Sequence, residues 1–534
     1  MKNNLKKYFP YILFFLITLS IMLPLYGHGY IFLLDMVWGP RIGLSKLSPQ
    51  GINESIPLIF ILQVLNSFMP SEVIQKILLS LIIFFTQVSM YKLASAFMEK
   101  KWALVSGFMY LLNPYFYERL LAGQWHVLLG YLILPLLIYF FLKFLNNPDR
   151  HNFPAFAFLY SIYPILSLHY WYIASFFLPV LFIVFLLIKR ARIRTYAKFL
   201  PLLLIIFLTI NLFWLARTGS AATLSAITLN DFPAYTTRPD PWYGAFFNVL
   251  SLYGFWGSYT VLPKDIFPYW FIITPLILMI ASLGAVAQLK KRNSLAITLV
   301  LVFLPALIIS VGYGSAFTKP VIDFLYNHLY GFNGLRDTQK AAGILALTYA
   351  FFVPLGYRLL TRRLSKNEWY GKLIFISAIT IPFLMTNTIF LGFSSQVRAA
   401  DYPHGWYAVN ELTKKEGAVK MLFLPWHAYM RFPFSHERIV SNPAGTFFDR
   451  EVVVGKGIEN VYLLNQDQGI WDTEVLELLY LQQATIQSKK FLTLQGVTHI
   501  IIAKVADWEK YKFLSEKGQF EIIYEDTDII LLKL

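Results

Sequence analysis

Apolar runs of roughly 20 residues recur along this chain, and that recurrence restricts its fold more than any other feature. Wound into a helix, such a run matches the hydrocarbon thickness of a bilayer. Only helices and closed barrels satisfy their own backbone there. The runs read as spans over residues 9–26, 72–97, 102–112, 128–145, 153–166, 170–188, 196–216, 268–287, 295–311, 341–360 and 372–390. The expectation is therefore an α-helical polytopic membrane protein with about eleven spans. Composition agrees: 57% of the 534 residues are hydrophobic and only 14% charged, against about 25% charged in soluble domains.

The formal charge of +16 invites a nucleic-acid reading, but the basic residues sit where the positive-inside rule puts them. Lys2, Lys6 and Lys7 precede the first run. Lys100-Lys101, Lys189-Arg190-Ala191-Arg192-Ile193-Arg194, Lys290-Lys291-Arg292 and Arg362-Arg363 lie in four of the five even-numbered gaps. These gaps are expected to face the cytoplasm with the N-terminus, which places the C-terminus outside and makes lipid, not nucleic acid, the partner. No small-x-small cleavage site follows the first run, so it reads as an uncleaved helix. The chain has no cysteine, which excludes disulfides, thiolate metal sites and cysteine nucleophiles.

The outward gaps hold the polar residues of interest. Asp35, in Phe32-Leu33-Leu34-Asp35-Met36-Val37-Trp38-Gly39-Pro40-Arg41, is a carboxylate at a membrane edge, where an ionisable group is costly unless it does something. It could take a proton as a general base; the plainer role is a loop acid facing solvent or Arg41. Residues 56–68 suit a helix lying on the membrane surface, just after the sequon Asn53-Glu54-Ser55. In the second gap, Tyr115-Phe116-Tyr117-Glu118-Arg119 leads to Gln124-Trp125-His126. Glu118 and Arg119 are catalytic or binding candidates or a simple pair, the aromatic residues fit an interfacial belt, and His126 suits a structural hydrogen bond. His169 and Trp171 could line a sugar pocket or belong to the belt. The long segment 217–267 offers Asp231, Arg238, Asp240 and Trp256, and long loops in membrane enzymes are often substrate sites. Arg336 and Lys340, in Gly334-Leu335-Arg336-Asp337-Thr338-Gln339-Lys340, would share a face if a helix starts there, and would then make an anion site.

From about residue 392 composition becomes that of a soluble domain. Two domains are expected, 1–391 in the membrane and 392–534 as an extracytoplasmic α/β domain. Strands are expected at 419–424, 452–454 and 498–503, helices at 473–488 and 506–517, and a hairpin of 520–524 with 528–532. Walker A, H-E-x-x-H and G-x-S-x-G motifs are absent. Gly455-Lys456-Gly457 resembles a dinucleotide turn but lacks the third glycine, and is rejected.

This ordered set resembles the GT-C superfamily of membrane glycosyltransferases, in particular a bacterial and archaeal branch of arabinofuranosyl- or mannosyltransferase type. The residues that carry it are Asp35 after the first span, Tyr117-Glu118-Arg119 before Gly123-Gln124, Gly334 to Lys340, and Leu424-Pro425-Trp426-His427 in the tail. The resemblance implies inverting transfer of a sugar from a polyprenyl (dolichyl) phosphate to a glycan, lipid or protein-linked acceptor in envelope glycan biosynthesis. Asp35 would be the base, with Glu118 sharing the catalytic role. Arg336 and Lys340, assisted by Arg119 or Arg238, would hold the leaving phosphate. Gln124, His126, His169, Trp171, Asp231 and Trp256 would contact sugar or acceptor. No metal ligand is assigned, since the first loop has no D-x-D; a divalent cation (Mg or Mn) would need Asp35 and Glu118 to converge. The rival classes are a transporter or flippase for lipid-linked sugars and an envelope scaffold. Transporters place their sites at the membrane midplane, whereas here the polar residues cluster on one side.

Overall fold

The computed structural model describes residues 2–44, 52–218, 227–257, 261–364, 368–455, 486–516 and 520–534. Each expected span is present as a helix: Lys2–Met22, Ser71–Ala94, Lys100–Leu111, Trp125–Asn146, Phe153–Leu166, Leu168–Lys189, Leu200–Thr218, Trp270–Leu289, Ser294–Val311, Ala342–Leu364 and Glu368–Met385. Among the described residues, nine helices are long and apolar enough to cross a membrane. Two of the expected eleven are shorter. Lys100–Leu111 has 12 residues and Phe153–Leu166 has 14, so at about 1.5 Å per residue neither covers a core of about 30 Å. Trp102 to Leu111 are all buried. That helix is apolar because it lies inside the bundle.

The chain forms two compact units. The first comprises Met1–Leu23, Leu47–Leu58 and Leu78–Gln396. Among the helices long enough to span a membrane, the best covered is Ala342–Leu364, in which every side chain from Ala342 to Tyr357 is buried. It packs on Trp270–Leu289 through two glycines. A Cβ on Gly284 would lie 2.1 Å from the Phe352 carbonyl oxygen, and one on Gly356 would lie 2.0 Å from that of Ile280. Small residues let helix backbones approach in a membrane, where little hydrophobic force acts between helices.

The second unit comprises Pro24–Lys46, Ile59–Ile77 and Val397–Leu534. Residues 24–44 and 59–77 thus fold with residues 397–534, whereas the sequence places the start of this domain at residue 392. Strand β1 (Tyr30–Ile31) pairs antiparallel with β2 (Ala399–Ala400). The main sheet contains β3 (Lys420–Leu424), β6 (Glu451–Val453), β7 (His499–Ala503), β8 (Glu521–Glu525) and β9 (Ile529–Lys533), in the order β6-β3-β7-β9-β8. β6, β3 and β7 run parallel, while β9 and β8 close the sheet as the expected antiparallel hairpin. Both faces are covered. Met421, Phe423, Ile501 and Leu531 point into one core, and Leu422, Leu424, Ile500, Ile502, Ile530 and Leu532 into another. Strands buried on both sides read as continuous apolar runs, which is why they were visible in the sequence. A small hairpin, β4 (Tyr429–Arg431) with β5 (Ile439–Ser441), completes the unit.

Tyr30, Phe32 and Val37 belong to the first of these cores, beside Tyr402, Trp406 and Phe432. The apolar character around Asp35 therefore serves the core of a sheet domain. Other expectations are adjusted. The surface helix appears as Ile56–Asn66, with Phe60, Ile61, Val64 and Leu65 exposed. In place of a helix over 506–517 there are two single turns, Trp508–Tyr511 and Phe513–Glu516. The expected helix over 473–488 lies almost wholly outside the described residues, as does most of the rejected Gly455–Asn460 turn; the described helix there is Ile486–Leu494.

Candidate functional site

In the first unit the candidates gather around a short helix, Pro114–Leu121. Asn113 caps it by accepting the Phe116 N–H at 3.0 Å, and Pro114 occupies the first turn, where its missing N–H costs nothing. Every residue of the helix is buried. Glu118 and Arg119 therefore need partners, and they do not choose each other.

Glu118 accepts the backbone N–H groups of Gly254 (3.4 Å) and Phe255 (3.1 Å). Burial pushes its carboxyl up to about 7, opposed by the Phe255 N–H and by the charges of Arg119 and Lys264. Arg119 is fully buried and donates to both carboxylate oxygens of Asp337, to Gln339 and, at 2.5 Å, to Gln124. Its guanidinium also lies over the Tyr115 and Phe255 rings, 5.4 and 4.9 Å from their centroids. Asp337 stays below the usual carboxylate range: burial would raise it, and Arg119 and Lys340 more than offset that. Lys340, also buried, lies 4.0 Å from the same carboxylate. His169 faces the charges of Lys340, Asp337 and Arg119. Two buried donors of this network, Arg119 Nε and Gln339 Nε2, have no hydrogen-bond partner among the described residues.

The expected helix start at Arg336 is not there. A 3-10 turn (Phe332–Leu335) is followed by Asp337 at ψ 79° and a second 3-10 turn (Thr338–Ala341), and the α-helix begins at Ala342. Arg336 and Lys340 therefore do not share one helical face. Arg336 lies over the Tyr235 ring at 4.5 Å. Tyr235 meets Trp256 edge to face at 5.1 Å, and the Trp256 carbonyl accepts Arg238 Nε at 2.6 Å. Trp256 follows Phe255, the residue held by Glu118 and covered by Arg119. The loop 253–256 thus meets a buried carboxylate and cation at Gly254 and Phe255 and, at Trp256, Arg238 directly and Arg336 through the Tyr235 ring.

Other candidates have plainer occupations. Asp231 closes its own turn by accepting the Thr228 N–H at 2.6 Å. His126 Nδ1 lies 3.3 Å from the Leu166 carbonyl. Trp171 stacks on Phe207 and meets Trp214 edge-on, its buried indole N–H lacking a partner among the described residues. Sequence reasoning missed Lys264, which pairs with Asp240 at 3.0 Å, bonds Asn248 at 2.9 Å and covers Tyr253. It also did not assign Asp337 and Gln339 to the site. Asp337 carried a usable signal, an acid enclosed by two cations beside a span.

Asp35 belongs to the second unit. It is half-buried, and its Oδ1 accepts the Tyr429 hydroxyl at 2.9 Å. Among the described residues, the grouping of three with metal-ligand spacing is His28, Glu72 and Asp401, whose ligand atoms lie within 4.8 Å of one another. It includes neither Asp35 nor Glu118. One Glu72 oxygen is already engaged by the Gly29 N–H, with Lys76 at 3.6 Å.

No protein-family model matches the chain, and no curated protein sequence is significantly similar to it. Solved structures are. Two cryo-electron microscopy structures of the arabinofuranosyltransferase AftD from Mycobacteria, one a point mutant, overlay on 98% of this chain with TM-scores of 0.56 and 0.54 at 12% identity. The chain spans only 41% and 39% of those AftD chains. The oligosaccharyltransferase of Archaeoglobus fulgidus overlays on 92% of this chain and 65% of its own, with a TM-score of 0.48 at 11% identity; the fold assignment rests on the AftD overlays. The overlays show that this chain shares its fold with the aligned part of AftD.

Proposed function

Proceeding from that fold, we propose that the chain is an inverting glycosyltransferase. It would move a sugar from a polyprenyl-phosphate donor to an extracytoplasmic glycan, lipid or protein-linked acceptor. The observation that carries this reading is the grouping around the 253–256 loop. Aromatic faces suit a sugar ring, and guanidinium groups suit phosphate. Arg336 and Arg238, flanking Tyr235 and Trp256, are assigned to the donor phosphate together with Lys340. Arg119 has most of its donors engaged by Asp337, Gln339 and Gln124, so it frames the site and has Nε left to offer.

Asp35 is assigned as the base on its own unit's geometry. The acceptor hydroxyl gives its proton to the Asp35 carboxylate as its oxygen bonds to the sugar C1. The C1–O bond to phosphate breaks, and its electron pair leaves on the phosphate oxygen. Attack opposite the leaving group inverts C1. The cations stabilise charge that grows on the phosphate in the transition state.

The test uses the purified full chain in lipid nanodiscs, polyprenyl-phosphate carriers charged with [14C]mannose or [14C]arabinofuranose, and extracted membrane glycolipids as acceptors. Asp35→Asn should lower transfer by about 10²–10⁴-fold, and Arg336→Ala should weaken donor binding. Full transfer by Asp35→Asn refutes the assignment of the base. Labelled lipid that crosses a bilayer without forming a new glycosidic bond refutes the enzyme and supports the flippase.

A further inference from the structure

We propose that Tyr429 is a positioning residue for Asp35, so that the β4–β5 hairpin sets the orientation and proton affinity of the base. The inference rests on Asp35 being that base. The backbone on either side of Asp35 is fixed first. Phe32 and Val37 are sunk in the sheet core. Leu33 and Met36 exchange N–H···O bonds of 3.2 Å across a tight turn with Asp35 inside it. The carbonyl of Leu34 then accepts the Ser441 N–H at 2.7 Å. Ser441 is the residue paired directly opposite Tyr429 in the hairpin. One rung of the hairpin therefore makes two contacts on adjacent residues of the turn: Ser441 holds the backbone of Leu34, and Tyr429 donates its hydroxyl to Asp35 Oδ1 at 2.9 Å. Asn442, next along, fixes the start of the hairpin by donating its N–H to the Ala428 carbonyl at 2.8 Å and its side-chain amide to the His427 carbonyl at 3.2 Å.

A hydroxyl that donates to a carboxylate favours the ionised form and stops the carboxylate plane from rotating. Both effects serve a base. With the Tyr429 hydroxyl on Oδ1 at 2.9 Å, the carboxylate is restrained from rotating, so the orientation it offers an acceptor hydroxyl stays constant. Near-attack alignment of this kind governs turnover more than binding.

The experiment compares wild type, Asp35→Asn, Tyr429→Phe and a variant with 3-fluorotyrosine at position 429, using the nanodisc transfer assay across pH. Tyr429→Phe should lower kcat about ten-fold at an unchanged donor KM. It should also move the acidic limb of kcat/KM to higher pH by up to about one unit. The fluorinated side chain, the same shape with a stronger donor, should move that limb the other way, and it keeps the test intact if the phenylalanine variant does not fold. If Asp35→Asn is inactive while both Tyr429 variants leave the limb and kcat unmoved, the positioning role is wrong and the base stands. If Asp35→Asn transfers sugar at the wild-type rate, the reading beneath the inference is wrong.

Discussion

Glu118 is a carboxyl buried within the first unit. It is 4% exposed, two backbone N–H groups point at it, and burial raises its carboxyl from 4.5 to about 7. The sign of the resulting pH dependence is fixed. A carboxyl whose folded pKa lies above its unfolded value binds more protons in the folded state. Its favourable contribution is complete below about pH 4.5 and is lost as pH rises through about 7. The detergent-solubilised protein should therefore melt at progressively lower temperature between these limits. Glu118→Gln, which keeps an acceptor for the Phe255 N–H without the charge, should flatten that slope; an unchanged slope in thermal scans would mean that another group is responsible. Arg119 shows the opposite arrangement. Its charge is buried, but Asp337, Gln339 and Gln124 receive its fork of donors, geometry that a lysine could not supply.

At the scale of elements, the Ala342–Leu364 helix and the turns before it position the membrane-unit candidates. Its packing on Trp270–Leu289 depends on Gly284 and Gly356. Gly356→Leu would drive a side chain into the Ile280 carbonyl and force the helices apart. We expect loss of folded protein in detergent, read by size-exclusion chromatography and melting temperature, whereas Gly334→Ala, where an added Cβ meets nothing within 4 Å, should behave as wild type. The turns before the helix also explain why a sequence reading of Arg336 and Lys340 goes astray. Their spacing of four suits a helical face, but the chain makes two 3-10 turns with a non-helical Asp337 between them. The competing force is the pull of Arg119, distant in sequence, on the Asp337 carboxylate.

For the whole molecule, the second unit is built from discontinuous chain. Tyr30, Phe32 and Val37 fill the same core as Tyr402, Trp406 and Phe447. A fragment of residues 397–534 alone should thus expose apolar surface where residues 24–44, a strap over this core, belong. We expect it to bind the dye ANS and aggregate, and fusion of residues 24–44 through a flexible linker to suppress both. A fragment that is monomeric and dye-free without the strap would show that the core closes on its own.

The sequence by itself determined the membrane character, the helices and the main strands of the sheet, because burial on all sides leaves long apolar runs with a readable period. It also supplied most of the polar candidates, because an ionisable group beside a span is rare enough to be noticed. Tertiary structure alone decided their partnerships. Glu118 and Arg119 are adjacent in sequence yet serve Phe255 and Asp337. Asp231, a plausible ligand by position, only caps its own turn. Asp35 follows a membrane helix but is held by Tyr429, 394 positions further along. A periodicity is local and survives in one dimension. The choice of partner for a buried charge is made by whichever complementary group the fold brings within about 3 Å, and that choice leaves no trace in sequence spacing.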